Sequence, residues 1–79
     1  MVGGYVMLGD ILSILDDRQY VGLTGIEGGV TYSGEPDGFM KEFSKSMNAF
    51  VVKVASSKSD DRRIDIFLVD PPKPDRYIE

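Results

Sequence analysis

Three short polar clusters are the candidates for chemistry in this chain of 79 residues. Asp16-Asp17 and Asp60-Asp61 are paired carboxylates that could hold Mg²⁺ or act as acid and base, and Ser44-Lys45-Ser46 could pair a serine nucleophile with a lysine. Neither acid pair fits the Ca²⁺ loop pattern, and neighbouring residues on a helix point about 100° apart. These clusters therefore favour turns and solvated surface over catalysis.

The composition excludes several classes of active site. The chain has no histidine and no cysteine, so it lacks the commonest general base near neutral pH, every Ser-His-Asp or Cys-His arrangement, and thiolate metal sites. We expect no enzymatic activity, no catalytic residue, no metal site and no cofactor. The lack of cysteine fits a reducing compartment, and no apolar run reaches the roughly 18 to 20 residues of a membrane span. We therefore expect a cytoplasmic protein without membrane contact.

Two further patterns resemble binding motifs. The glycine-rich run 22–29 has neither the dinucleotide-binding spacing nor the lysine of a P-loop, and it is interpreted as structural. The run 71–76 reads P-x-x-P-x-R, as in peptides that dock SH3 domains, but proline also simply prevents the chain from continuing a sheet. We interpret residues 70–79 as an extended Pro-rich tail.

The charge is unevenly distributed. The net charge is −4, yet residues 1–40 contain six acids against Arg18 alone, which leaves −5 there and +1 in the remainder. Because nucleic-acid binding depends on Lys and Arg neutralising phosphates, the acidic half argues against direct DNA or RNA contact. A protein partner with a basic surface is expected instead.

Hydrophobic periodicity predicts two helices and four strands. Leu8, Ile11, Leu12 and Leu15 form one helical stripe, and Asp37 is placed to cap a second helix. The apolar positions of that second helix are Phe39, Met40, Phe43 and Met47. The predicted strands are 20–26, 30–33, 49–55 and 64–69.

Local details of the strands can also be predicted. Gly28 and Gly29 are turn residues of a hairpin because glycine adopts positive φ without steric cost. The strand 49–55 is expected to be buried, with Phe50, Val52 and Val54 on one face.

These elements predict a single α+β domain spanning residues 1–79. Its two layers follow an αββαββ order, with both helices on one face of an antiparallel sheet of about four strands. Residues 1–6 are expected to be a disordered start.

The layout resembles that of short acidic proteins encoded by phages and prophages. The resemblance covers about residues 7–69 and is carried by LGDILSILDDRQYVGLTG, GGVTYSGEPDGF, AFVVKVASS and IDIFLV. It implies a Leu-rich helix, a hairpin, and then a helix and second hairpin, without a catalytic signature. It also implies an inhibitor role, for example against a host nuclease or in the manner of anti-CRISPR proteins.

Our hypothesis is a non-enzymatic module that binds a basic site on a host protein through its acidic first half. The alternative is a structural module that forms a homodimer through an exposed strand edge, either of the first hairpin or of the strand 64–69. Tyrosines are included in the predicted site because they are enriched at interfaces. The predicted partner-binding residues are Asp16, Asp17, Tyr20, Glu27, Tyr32, Glu35 and Asp37.

Overall fold

The fold is built around two hairpins and two short helices. The computed structural model describes residues 6–58 and 61–75. Of the predicted start, residues 1–5 lie outside this range, and Val6 belongs to a strand. The elements are β1 Val6–Met7, α1 Leu8–Ile14, β2 Tyr20–Gly25, β3 Gly28–Gly34, α2 Pro36–Glu42, a 3₁₀ helix Ser44–Ser46, β4 Phe50–Ser56 and β5 Arg63–Leu68.

The five strands form one mixed sheet in the order β1-β4-β5-β2-β3. Both hairpins are present, since β2 pairs antiparallel with β3 and β4 with β5. They meet through β2 and β5, which run parallel to each other. The chain is α+β, but the predicted αββαββ arrangement with four antiparallel strands is wrong. A fifth strand is present, and the central pairing is parallel.

The apolar residues of β2 and β5 explain why these strands are central. Val21 and Leu23 of β2 and Ile66 and Leu68 of β5 are all fully buried, and the register places Leu23 beside Ile66. A parallel pair needs a long crossover, and here β3, α2 and β4 together form that connection. The strand pattern predicts both strands but reveals neither that they form the most buried pair nor that they run parallel.

Both helices contribute to the same core. Leu8 and Leu12 of α1 pack with Phe39 and Phe43 on the buried face of the sheet. The rings of Phe39 and Phe43 meet edge to face, with centroids 5.4 Å apart. Such contacts add to the free energy gained by burying apolar area.

The helix starts are fixed mainly by backbone groups. Amides of Leu8 and Gly9, near the start of α1, donate to backbone carbonyls of the segment 47–49 at 2.9 Å. The prediction that Asp37 caps α2 is wrong: the cap position is Glu35, with Pro36 following it. Proline has no N–H and a fixed φ, which suit the first helical position, so the helix begins before Asp37.

The prediction for β4 is also wrong, because a β-bulge interrupts its alternation. The bulge lies between Val51, which pairs with Leu68, and Lys53, which pairs with Phe67. Phe50, Val52 and Val54 are therefore not one buried face, and their exposed fractions are 42%, 43% and 46%. A bulge adds one residue to one strand and reverses the facing of everything beyond it.

The positive φ predicted for the two hairpin glycines is confirmed, but both glycines lie at the start of β3, and Ile26 and Glu27 form the turn. Gly28 and Gly29 have φ values of +99° and +101°, where side chains other than glycine are strained. On β2, the register shifts between Leu23 and Gly25. Leu23 pairs with Tyr32 but Gly25 pairs with Gly28, so β3 advances by four residues where β2 advances by two, and the extra residues of the bulge lie on β3.

Substitutions at two glycines should change stability in opposite directions. A Cβ at Gly22 would lie 2.6 Å from Asp65 Oδ1 and 3.1 Å from Arg63 Nε, whereas one at Gly38 of α2 meets nothing within 4 Å. Gly22→Ala must displace the Arg63–Asp65 ion pair and should lower the free energy of unfolding by about 1 kcal/mol. Gly38→Ala should raise it by about 0.5–1 kcal/mol through chain entropy. Urea denaturation of both variants tests this, and equal effects would contradict the packing over Gly22.

Candidate partner-binding surface

The seven predicted partner-binding residues are not gathered on one face. Val21 of β2 pairs with Gly34 of β3, so the start of β2 and the end of β3 lie at the same end of the hairpin. Glu27 lies in the turn at the opposite end. The seven residues of β3 extend for about 20 Å, which is more than the Debye length of about 8 Å at physiological salt. The acids therefore act as two separate groups of charges and do not produce one continuous negative potential.

We call the larger group the acidic end; its members are the exposed residues Asp16, Asp17, Glu35 and Asp37. The Asp16 carboxylate accepts a hydrogen bond of 2.8 Å from the backbone N–H of Arg18, and its carbonyl accepts one from Gln19. Asp16 therefore also shapes the turn that leads into β2, as short polar side chains often do.

The two predicted tyrosines lie on opposite faces of the sheet. Tyr32 pairs with Leu23 on the buried face, and its ring meets that of Phe43 edge to face at 5.0 Å. Tyr20 is 38% exposed, and its hydroxyl lies 3.1 Å from Ser33 Oγ. A partner that contacts Tyr20 on the open face cannot also cover the Tyr32 ring, which belongs to the core packing.

A recess of ≈ 490 Å³ lies beside the acidic end. Gln19 lines it and donates a hydrogen bond of 2.9 Å to the carbonyl of Arg62, which joins the turn before β2 to the segment before β5. Both signs of charge are present in this recess, so it is not a purely acidic pocket. Its lining residues are Arg18, Gln19, Tyr20, Glu35 and Arg62.

The predicted acids have no cation partners in the described part of the chain. The ion pair found there joins Arg63 to Asp65 at 2.8 Å, and it involves neither the acidic end nor Glu27. Residues 6–58 and 61–75 contain no group of three or more acidic residues placed to hold a metal ion. Within the same ranges, no helix is long and apolar enough to cross a membrane. Asp60 lies outside the described residues, so the Asp60-Asp61 pair is not described.

The strand β3 forms one edge of the sheet. Among the described residues, β3 pairs with β2 alone and ends the strand order. Its sequence GGVTYSG contains no charge and no proline, although natural edge strands usually carry one of these against unwanted pairing. The other edge predicted for self-association, the strand 64–69, is not an edge, because β5 lies between β4 and β2.

Sequence reasoning missed the attachment of the C-terminal tail. The Asp75 carboxylate accepts hydrogen bonds from the backbone N–H groups of Ser44 and Lys45, at 2.9 and 3.1 Å, and from the Ser44 hydroxyl. The Asp75 N–H in turn donates to the carbonyl of Glu42 at 2.6 Å. Asp75 thereby caps the 3₁₀ helix from about 30 residues away in the chain, and no local sequence pattern signals such a contact. Arg76, the last residue of the P-x-x-P-x-R run, lies outside the described residues.

A second recess, of ≈ 590 Å³, lies between this tail and the 3₁₀ helix. Lys45, Lys73, Asp70 and Asp75 line it together with two prolines. It is the larger of the two recesses, but its charges are mixed and its walls belong to the tail attachment, so it offers no clear ligand chemistry.

Comparison of this chain with protein-family models, with curated proteins and with solved structures finds no match in any of the three.

The tail attachment should loosen in acid. The Ser44 hydroxyl bond, followed by the backbone bonds, lowers the pKa of Asp75 below its ordinary value. Because this pKa is lowered, the contact stabilises the fold fully at pH values above the ordinary pKa of an aspartate. Its contribution is lost as the pH falls through the lowered pKa of Asp75. In an NMR titration, the Ser44 and Lys45 amides should shift with a midpoint below about 3.9.

Asp75→Asn at neutral pH should give these two amides the chemical shifts of the acid form, while Asp70→Asn serves as a matched control. A titration midpoint at or above the ordinary aspartate value would contradict the capping role.

Proposed function

We propose that this protein is a non-enzymatic binding module whose acidic first half binds a basic surface of a partner protein. The observation that carries the proposal is the combination of exposed carboxylates at both ends of β3, without cation partners among the described residues, and an unpaired strand edge between them. Carboxylates that are not neutralised within the chain are available to cations on another molecule. Complementary charge accelerates encounter and selects the partner.

The residue inventory supports a binding role over catalysis. The chain has no histidine or cysteine, and both recesses are lined by side chains of mixed charge. Direct nucleic-acid binding is also disfavoured, because the exposed acids at both ends of β3 would repel phosphates.

The resemblance to short phage-encoded proteins supports an inhibitor role. An acidic protein of this size imitates the charge of a nucleic-acid backbone and competes for a basic groove. We therefore propose a host nuclease or a similar nucleic-acid-binding protein as the target. The absence of cysteine favours action in the cytoplasm.

Self-association through β3 is a second candidate, because this edge strand contains no charged residue and no proline. It predicts a concentration-dependent dimer of the unmodified chain, which sedimentation equilibrium would reveal.

Charge reversal separates the acidic-surface proposal from nonspecific adhesion. Immobilised protein should retain a basic partner from a host extract, and Glu35→Lys combined with Asp37→Lys should weaken that partner's affinity by about 10- to 100-fold. The loss of attraction, not unfolding, is the expected cause, because both side chains are exposed. Raising the salt concentration to about 1 M should release the partner, since the Debye length falls to about 3 Å.

The matched control combines Asp10→Lys with Glu42→Lys, which changes the net charge equally at exposed positions on α1 and α2. The control should retain the partner. Equal retention by all three proteins, or retention unaffected by salt, would refute the acidic surface as the binding site.

A further inference from the structure

One face of the sheet remains open in the described part of the chain. Leu23 pairs with Ile66 on the face that carries the core, and both helices pack against that face. The C-terminal tail reaches the same face, because a Cβ at Gly25 would lie 3.2 Å from the Cα of Pro71. Side chains that alternate with the core residues, such as Phe67, point to the other side of the sheet. We call that side the open face.

A row of exposed apolar side chains crosses the open face from β1 to β2. Met7 pairs with Phe50, and the Val69 N–H donates to the Phe50 carbonyl at 3.1 Å. The Ile26 N–H donates to the carbonyl of Leu68 at 2.8 Å, which places Ile26 beside Val69. We call these residues the apolar row; in order across the sheet they are Met7, Phe50, Val69 and Ile26, with exposed fractions of 38%, 42%, 46% and 51%.

The charges of the strands on this face are balanced within the chain. Arg63 is paired with Asp65 at 2.8 Å, and the Lys53 ammonium lies 5.1 Å from the centre of the Phe67 ring. The chain as a whole carries a net charge of −4, so two copies repel each other at most orientations. A second copy that approaches the open face meets a paired acid and two cations on the described strands. The charges therefore favour contact between copies on this side.

The apolar row is complementary to itself. A two-fold axis that runs along the strands between β4 and β5 reverses the strand order, so Phe50 of each copy meets Val69 of the other and the two ends of the row meet each other. Ala55 pairs with Asp65 and lies two residues from Lys53 on β4. The same axis therefore brings Asp65 of each copy near Lys53 of the other, which adds a contact between opposite charges.

The size of the open face fits a weak and reversible contact. Four strands about 4.8 Å apart and about six residues long cover about 19 Å by 20 Å, or about 380 Å² before the relief of the side chains is counted. Two such faces hide about 800 Å² or more, which is the size of a transient complex. A chain of 79 residues has a small core, so it gains stability when it buries such a face.

From the apolar row, the balanced charges and this area we infer that the open face is the interface of a reversible homodimer, in which two sheets pack face to face. The inference goes beyond the proposed function, because it concerns the open face and not the acidic end. It also differs from self-association through β3, which joins two sheets edge to edge.

Sedimentation equilibrium over a wide range of concentrations tests this inference. The unmodified chain should show an equilibrium between monomer and dimer. Val69→Asp should weaken the dimer by at least about tenfold, because it places a carboxylate against the Phe50 ring of the other copy. The matched control is Ile14→Asp, which introduces the same charge at an apolar side chain of α1 that is 82% exposed. This control should dimerise as the unmodified chain does.

A second variant and an NMR measurement make every outcome decisive. Ile26→Asp changes a turn residue at the end of the row; it should also weaken the dimer, and it serves if Val69→Asp fails to fold. In spectra recorded at increasing concentration, the methyl groups of Val69 and Ile26 should shift, while the outward amides of β3 should not.

A chain that stays monomeric at every concentration would overturn the inference. So would a dimer that Ile14→Asp weakens as much as Val69→Asp, or one whose concentration-dependent shifts lie along β3, since that pattern indicates edge pairing. Glu35→Lys combined with Asp37→Lys should not weaken the dimer, so the proposed function and the dimer are tested separately.

Discussion

The parallel pairing of β2 with β5 is the contact on which the rest of the structure depends. It runs through six consecutive residue pairs, from Tyr20 beside Arg63 to Gly25 beside Leu68, and it joins the two hairpins into one sheet. The most buried side chains of both strands lie in this pairing. Because β2 and β5 pair with each other, β3 and β4 lie on the two outer sides of this pair. In the part of the chain that the structure describes, only β4 pairs with a further strand, β1.

This arrangement explains the separation of the acidic residues. The hairpin β2–β3 carries Glu27 at its turn and Glu35 at its far end, with an unpaired strand edge between them. A compact basic patch on a partner cannot neutralise both ends at once, whereas an extended segment can. The geometry therefore links two properties that look unrelated in the sequence, the acidic first half and the uncharged glycine-rich strand.

Much of the local structure could be predicted from the sequence. The stripe of α1 follows from periodicity, and the positive φ of Gly28 and Gly29 follows from glycine's conformational range. These features depend on neighbours in the chain. The direction of β2 relative to β5 depends on how a distant hairpin docks, and no local pattern reports it.

The features that were predicted wrongly or missed have similar causes. The bulge after Val51 reverses the facing of Val54. The register of the first hairpin places Tyr32 on the buried face, opposite to the face of Tyr20. A shift of one residue changes the face of every later side chain, so alternation read from the sequence fails beyond an unseen bulge. The contact of Asp75 with Ser44 was missed because it joins segments distant in the chain.

Amide hydrogen exchange of the unmodified protein, measured alone by NMR, tests the central claim most directly. If β2 and β5 are the paired centre and β3 is an open edge, the amides of β2 and β5 should be the slowest to exchange. On β3, amides that donate to β2 should exchange slowly, and amides that face outward should exchange fast. Uniformly slow exchange along β3, or fast exchange along β5, would contradict this account.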